Sequence, residues 1–272
     1  MKLGIIGGGN MAAAMIGGLR ERGGEDLELR VVERDAGRRE LLEREHGVAA
    51  QEFIDETLQD AQIIVLAVKP GDVRAVCEEL CARVAPGQSG TLLVSIAAGI
   101  PTEAIARWSL TQSVVRAMPN TPALIGQGVT GLYARPGVSE AQRSAATRVL
   151  AVLGDAFWMD DEGQLDAITA VSGSGPAYVF YFIEALQQAG CRMGLKPELA
   201  HHLAVQTFVG AAQLASRSGE PLDSLRERVT SKGGTTAAAL ARMQQAHVSE
   251  AIIEAAFAAL ERSREMARTL DG

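Results

Sequence analysis

The chain opens on a short apolar strand, Lys2-Leu3-Gly4-Ile5-Ile6, that runs straight into Gly7-Gly8-Gly9-Asn10-Met11-Ala12 and then a helix-forming run from Met11 to Glu21. No other stretch constrains the fold as much. A G-x-G-x-x-A turn between strand and helix is what a dinucleotide pyrophosphate needs. Gly7 permits the tight bend, Gly9 lets the backbone approach the phosphates, and Ala12 keeps the helix close to the sheet. The helix N-terminus adds free N–H groups and partial positive charge. An acid, Glu33, follows at the end of the next predicted strand, about 20 positions on. The bland alternative is a turn that is merely tight.

The first 160 residues continue the alternation. Apolar runs at Leu3–Ile6, Leu27–Val32, Ile63–Val68, Leu92–Ala97 and Val114–Met118 read as buried parallel strands, with a later pair near Val129–Ala134 and Phe157–Met159. Helical patterns lie between them: Met11–Arg22, Arg38–His46 closed by Gly47, Val73–Val84, Pro101–Trp108, and one opened by Ser139 with Gln142. The expected fold is α/β: a Rossmann doubly wound parallel sheet over 1–160, followed by an all-helical domain over 161–272. The second half breaks at Ser172–Pro176, Gly194–Pro197, Ser218–Pro221 and Ser231–Gly234. Its helix Pro176–Met193 is apolar on almost every side, and Glu184, Gln187 and Gln188 exclude a membrane span. Such a helix needs more cover than one small domain provides, so the second half is expected to pack against its copy in another subunit.

A net charge of −7 without a basic tract argues against nucleic acid. No apolar run reaches membrane-spanning length and no basic-then-apolar leader begins the chain, so a cytoplasmic protein that leaves membranes alone is expected. Three cysteines make no disulfide framework, and Cys77 with Cys81 has no partner pair for zinc; no metal is expected. His201-His202 reads as one packed and one solvated imidazole.

Strand ends on the carboxyl side of such a sheet carry the cofactor contacts: Glu33-Arg34, Val68-Lys69-Pro70, Ala97-Ala98-Gly99 and Met118 to Pro122. Lys69 and Asn120 supply donors, but no Cys-His pair, Ser-His-Asp set or carboxylate cluster accompanies them. A hydride donor with few acid–base groups suits reduction of an already activated acceptor. Farther on, Val229-Thr230-Ser231-Lys232-Gly233-Gly234-Thr235-Thr236 precedes another helix. That is the form of an anion nest, which would hold a small carboxylate beside several hydroxyls.

Six motifs in this order resemble pyrroline-5-carboxylate reductases. They are Gly7–Ala12, Ala67–Pro70, Ser95–Gly99, Arg116–Pro122, Val171–Tyr178 and Thr230–Thr236. The resemblance implies NAD(P)H-dependent reduction of the cyclic imine 1-pyrroline-5-carboxylate to L-proline. It also implies a homodimer, often built into larger rings, whose active sites draw on two subunits. Carried over by position, the cofactor contacts are Gly7, Gly8, Gly9, Asn10, Met11, Ala12, Glu33, Arg34, Asp35, Ala67, Val68, Lys69, Pro70, Ile96, Ala97, Ala98 and Asn120. The substrate contacts are Glu162, Ser231, Gly233, Gly234, Thr235 and Thr236, with Thr236 as the catalytic hydroxyl beside the ring nitrogen. The Ser172–Pro176 turn reads as a structural helix start.

Two positions depart from the pattern. Lys232 stands where the family usually has proline. Glu33 favours NAD, because a 2′-phosphate would meet a like charge, whereas the family commonly prefers NADPH. Arg34, Arg38 and Arg39 could clamp that phosphate if Glu33 turns away, and the balance leans to NADPH. A 3-hydroxyacid type dehydrogenase would need a lysine on the first helix of the second half, and residues 176–195 contain none. A ketol-acid reductoisomerase would need several carboxylates there, and the helix offers Glu184 alone. A non-catalytic NAD(P) sensor would have no use for the Ser231–Thr236 nest.

Overall fold

The computed structural model describes residues 1–22 and 26–270. The first part alternates as the apolar pattern requires: β1 (Lys2–Ile6), α1 (Asn10–Arg22), β2 (Glu28–Val32), α2 (Ala36–His46), β3 (Ala50–Gln51), β4 (Ile63–Leu66), α3 (Val73–Arg83), the single turn α4 (Pro86–Ser89), β5 (Leu92–Ser95), α5 (Thr102–Ser109), β6 (Val114–Met118), β7 (Gly128–Ala134), α6 (Glu140–Leu150) and β8 (Gly154–Trp158). These strands form one sheet in the order β3-β2-β1-β4-β5-β6-β7-β8. Every residue of β4 and β5 is buried, as in parallel strands covered on both faces. One apolar layer joins the sheet to α1 and α6 through Ile5, Met15, Ile16 and Leu150. The other joins it to α3 and α5 through Ile64, Leu66, Leu80 and Ile105.

The sheet is mostly parallel, and its direction reverses once, at β7. This strand runs antiparallel to β6, with Arg116 opposite Tyr133, and β8 keeps the direction of β7. Residues 119–127 are too few for the crossover that a parallel neighbour needs, about a dozen or more. β4 and β5 also end sooner than their apolar runs. Ala67 N–H donates to Ile6 O at 2.8 Å and Ile96 N–H to Leu66 O at 3.1 Å, and beyond these bonds the chain leaves the sheet at its carboxyl edge. The caps follow the sequence. Gly47, at φ 63°, closes α2, and Ser139 with Gln142 forms a capping box on α6.

The chain divides into two compact units. One is residues 1–174 with the end of the last helix from Ala259, and the other is residues 175–258. The first unit ends with α7 (Gln164–Ile168) and a π-helical turn over Thr169–Gly173. The second holds α8 (Gly175–Arg192), α9 (Pro197–Ser218), α10 (Leu222–Arg228), α11 (Thr235–Gln245) and the start of α12 (Val248–Leu270). α8 packs on α9 where Gly190 admits Ala200, since a Cβ on Gly190 would stand 3.1 Å from the Ala200 Cβ. Even so, α8 buries none of its residues in the single chain: Phe180 is 65% and Tyr181 71% exposed. An apolar helix left this bare is built to meet another surface. Both His201 and His202 are exposed, against the expectation of one packed ring, and His201 Nδ1 lies 3.1 Å from Gln187 Oε1 on α8. Among the described residues no helix is long and apolar enough to cross a membrane.

Candidate functional site

The turn after β1 is shaped by its neighbours. Gly7 N–H donates to Val32 O at 2.8 Å, and its φ is +105°. A Cβ there would sit 2.4 Å from Ala67 O, so no side chain fits. Gly9 faces open space: within 4 Å of its Cβ position lies only Arg38 Nη1, at 3.9 Å. α1 starts at Asn10, and the N–H groups of its first turn have no helical acceptor. The turn has the form of a pyrophosphate cradle, crowded behind Gly7 and clear above Gly9.

A groove of about 600 Å³ runs past the cradle. Gly7 to Ala12, Glu33, Arg34, Ala67, Val68 and Lys69 line it, as expected. Asp35, Pro70, Ile96, Ala97, Ala98 and Asn120, expected beside them, do not. Asp35 instead caps α2 by accepting from Arg38 N–H at 2.8 Å, and Pro70 starts a short 3-10 turn. Ile54 and Val76 add an apolar wall that went unread, because in sequence they look like any other core residues.

Glu33 is turned inward. Its Oε2 accepts the Gly8 N–H, and its Oε1 accepts Asp35 N–H at 2.8 Å. A Cβ on Gly8 would come within 2.9 Å of Glu33 Oε2, so a side chain there would displace the carboxylate. The three neighbouring arginines differ. Arg39 is spent on the carbonyls of Glu33 and Arg34, at 2.9 and 2.8 Å, and Arg34 pairs with Glu79 at 2.7 Å. Arg38 is half-exposed, with Nη1 3.9 Å from Glu33 Oε2.

Beyond β5 and β6, two expected contacts prove occupied. Glu162 Oε1 accepts from Thr102 N–H at 2.8 Å and from Arg116 Nη1 at 3.3 Å, while Oε2 accepts from the Thr102 hydroxyl at 2.7 Å. Arg116 is 4% exposed and also faces Asp166, which accepts from the Ser263 hydroxyl on α12 at 2.8 Å. Glu162 is therefore the counter-ion of a buried arginine. Asn120 donates through Nδ2 to Ser172 O at 3.2 Å and Ser172 Oγ at 3.0 Å, and its Oδ1 accepts Val129 N–H at 2.9 Å. Burial pushes the Cys77 thiol up to about 12, so it stays a protonated core side chain.

In the second unit, Gly234 N–H donates to Ser231 O at 2.9 Å and closes a turn in which Gly233 takes φ +73°. Gly234 is the extended N-cap of α11 and contributes no side-chain acceptor. The first N–H groups of α11 are thus left for a ligand. Ser231, Lys232, Gly233 and Thr235 are exposed and Thr236 is half-buried. One turn back, the Thr230 hydroxyl donates to Arg226 O at 2.6 Å.

Residues 162–266 match the pyrroline-5-carboxylate reductase dimerisation family, and residues 2–99 match the NADP oxidoreductase coenzyme F420-dependent family. A pyrroline-5-carboxylate reductase of Pseudomonas aeruginosa is 46% identical over 271 residues, which cover 99% of this chain and 98% of that protein. One from Haemophilus influenzae is 41% identical and covers 96% of both chains. Among solved structures, the pyrroline-5-carboxylate reductase of Coxiella burnetii superposes with a TM-score of 0.91 at 36% identity, covering 97% of this chain and 98% of that one. The Plasmodium falciparum pyrroline carboxylate reductase, solved with NADP bound, gives 0.82 at 28% identity and 98% coverage of both.

Proposed function

This chain belongs to the pyrroline-5-carboxylate reductase family, and from that premise we propose how it reduces 1-pyrroline-5-carboxylate to L-proline with NAD(P)H. The observation that carries the reading is a family match over almost the whole chain, joined to a dinucleotide cradle that is open above Gly9. Bound in that cradle, NAD(P)H supplies the hydride that adds to the imine carbon, and the ring nitrogen ends as an amine. The residues of the chain bind and orient. Gly7 to Ala12 receive the pyrophosphate, and Val68 and Lys69 flank it. The Ser231–Thr236 bend holds the substrate carboxylate on its free N–H groups, and the Thr236 hydroxyl hydrogen-bonds the ring nitrogen as its electron pair develops. A protonated imine is already electrophilic, so alignment does most of the work; it supplies up to ~7–11 kcal/mol. Glu162 is left out of the substrate set because Thr102 and Arg116 hold both its oxygens.

The coenzyme preferred is NADPH. With Glu33 turned onto Gly8 and Asp35, the groove presents Arg34 and the half-exposed Arg38 where a 2′-phosphate would arrive. The division of labour falls at residues 160/161, cofactor before and dimerisation after, which suits the family match from residue 162. The chain self-associates through that part, and rings of dimers would cover more of the apolar side chain bare on α8, α9 and α12. Three free cysteines suit a reducing, cytoplasmic setting.

Following NADPH and NADH oxidation with 1-pyrroline-5-carboxylate, with L-proline measured as product, tests the reading. Turnover with a higher kcat/KM for NADPH is expected. Coenzyme binding without any turnover would replace the enzyme by a sensor.

A further inference from the structure

The sequence marks Val171–Tyr178 as a motif, yet the reaction as described makes no use of it. The structure gives it an unusual form: Thr169–Gly173 is a π-helical turn, closed by Ser174 N–H donating to Thr169 O at 2.8 Å. Such turns concentrate at functional sites. This one is pinned to the carboxyl end of β6. A Cβ on Gly173 would stand 2.8 Å from Met118 Cε, and Asn120, 9% exposed, holds Ser172 by both carbonyl and hydroxyl.

The bonding of Asn120 fixes the donor and acceptor roles at Ser172. Its Oδ1 is taken by Val129 N–H, and its Nδ2 donates to the carbonyl and hydroxyl oxygens of Ser172. Ser172 Oγ therefore acts as acceptor toward Asn120, and its own proton must point elsewhere. No acceptor for that proton lies among the described residues, and Ser172 is part-exposed. In a sheet of this order the half built on β1–β3 takes the adenosine end and the half built on β4–β6 the nicotinamide end. A hydroxyl free to donate at the end of β6 thus stands on the nicotinamide side of the pyrophosphate cradle.

We propose that Ser172 donates a hydrogen bond to the carboxamide oxygen of the bound nicotinamide, and that Asn120 is the positioning residue that aims it. The ring is thereby held in one orientation, which fixes the face it presents for transfer. This rests on the coenzyme part of the proposed function and is independent of which imine is reduced.

Calorimetric binding to the full chain tests it without turnover. The probes are NADP⁺, its thionicotinamide analogue, whose C=S is a poor acceptor, and 2′-phospho-ADP-ribose, which lacks the ring. Ser172→Ala should weaken NADP⁺ by about 3- to 10-fold, the worth of one neutral hydrogen bond. It should leave the other two within about twofold. Equal weakening of all three would make Ser172 a structural residue, and an unchanged Kd for NADP⁺ would remove it from the site; either result overturns the proposal. Asn120→Asp keeps the acceptor for Val129 and loses the donor to Ser172. It should reproduce the Ser172→Ala pattern, and the double variant should be no weaker than either single one. Additive losses would sink the positioning role. A wild type that binds NADP⁺ in this pattern but reduces no pyrroline-5-carboxylate would overturn the proposed function and leave this inference standing.

Discussion

The Gly7–Ala12 turn and the Thr230–Thr236 bend share one plan: glycines, then a helix start whose first N–H groups lack carbonyl acceptors. Their surroundings differ. At Gly7 the end of β4 lies against the Cα, so space and backbone angle both forbid a side chain. At Gly8 only the movable Glu33 and Leu42 side chains stand close. At Gly233 nothing lies within 4 Å, and only φ +73° asks for glycine. The first turn is thus preformed by a packed sheet before any ligand arrives. The second is specified by local backbone alone, on a unit whose apolar helix α8 buries nothing by itself. A turn backed by a sheet can be shaped by one chain; a bend on so bare a unit would gain rigidity from what docks on it.

The largest effect should come from breaking the packed turn. Gly7→Ala places a methyl 2.4 Å from Ala67 O at a positive φ, and should cost about 3 kcal/mol or more of stability along with measurable NADP⁺ binding. Chemical denaturation and calorimetry would show it; a variant that keeps both would mean the cradle is as pliable as the bend. Next comes Thr236→Ala, at a half-buried position in the first turn of α11. It should lower kcat/KM by about 10- to 1000-fold with Tm and NADP⁺ affinity unchanged. A variant within twofold of wild type would remove Thr236 from the chemistry.

The same contrast governs what could be read from sequence. The cradle was legible because glycine spacing, strand and helix all act within a dozen residues. The direction of β7 was legible in principle from the short 119–127 link, yet an apolar run carries no sign of direction, and period alone hides it. β3 is two residues long and has no period to find. Asn120 is legible as a donor at a strand end and Glu162 only through the family resemblance, but their partners, Ser172 and Arg116, lie 52 and 46 positions away, and only the fold joins them. Glu33 showed its charge in sequence but not its direction, which is set by the N–H groups of Gly8 and Asp35.

Arg38 tests the packed side of the contrast more gently. Removing it as Arg38→Ala should lower the ratio of kcat/KM for NADPH over NADH by about 10-fold, the lower end for a hydrogen bond to a charged group, because the side chain is half-exposed. An unchanged ratio would shift recognition of the 2′-phosphate to Arg34.

Gly233 sharpens the contrast most, because its predicted effect is confined to the bend. An L-residue in the left-handed region costs about 1–2 kcal/mol, a factor of about 5–30, and Gly233 has open space around it. Gly233→Ala should therefore raise KM for pyrroline-5-carboxylate by about 5- to 30-fold and lower Tm by no more than a few degrees, while NADP⁺ affinity stays close to wild type. Gly233→Asn should recover part of that loss, since asparagine tolerates the left-handed region better than alanine. If asparagine and alanine behave alike, the bend is crowded by a neighbour that the isolated chain lacks. Its glycine would then be fixed by packing after all, as Gly7 is.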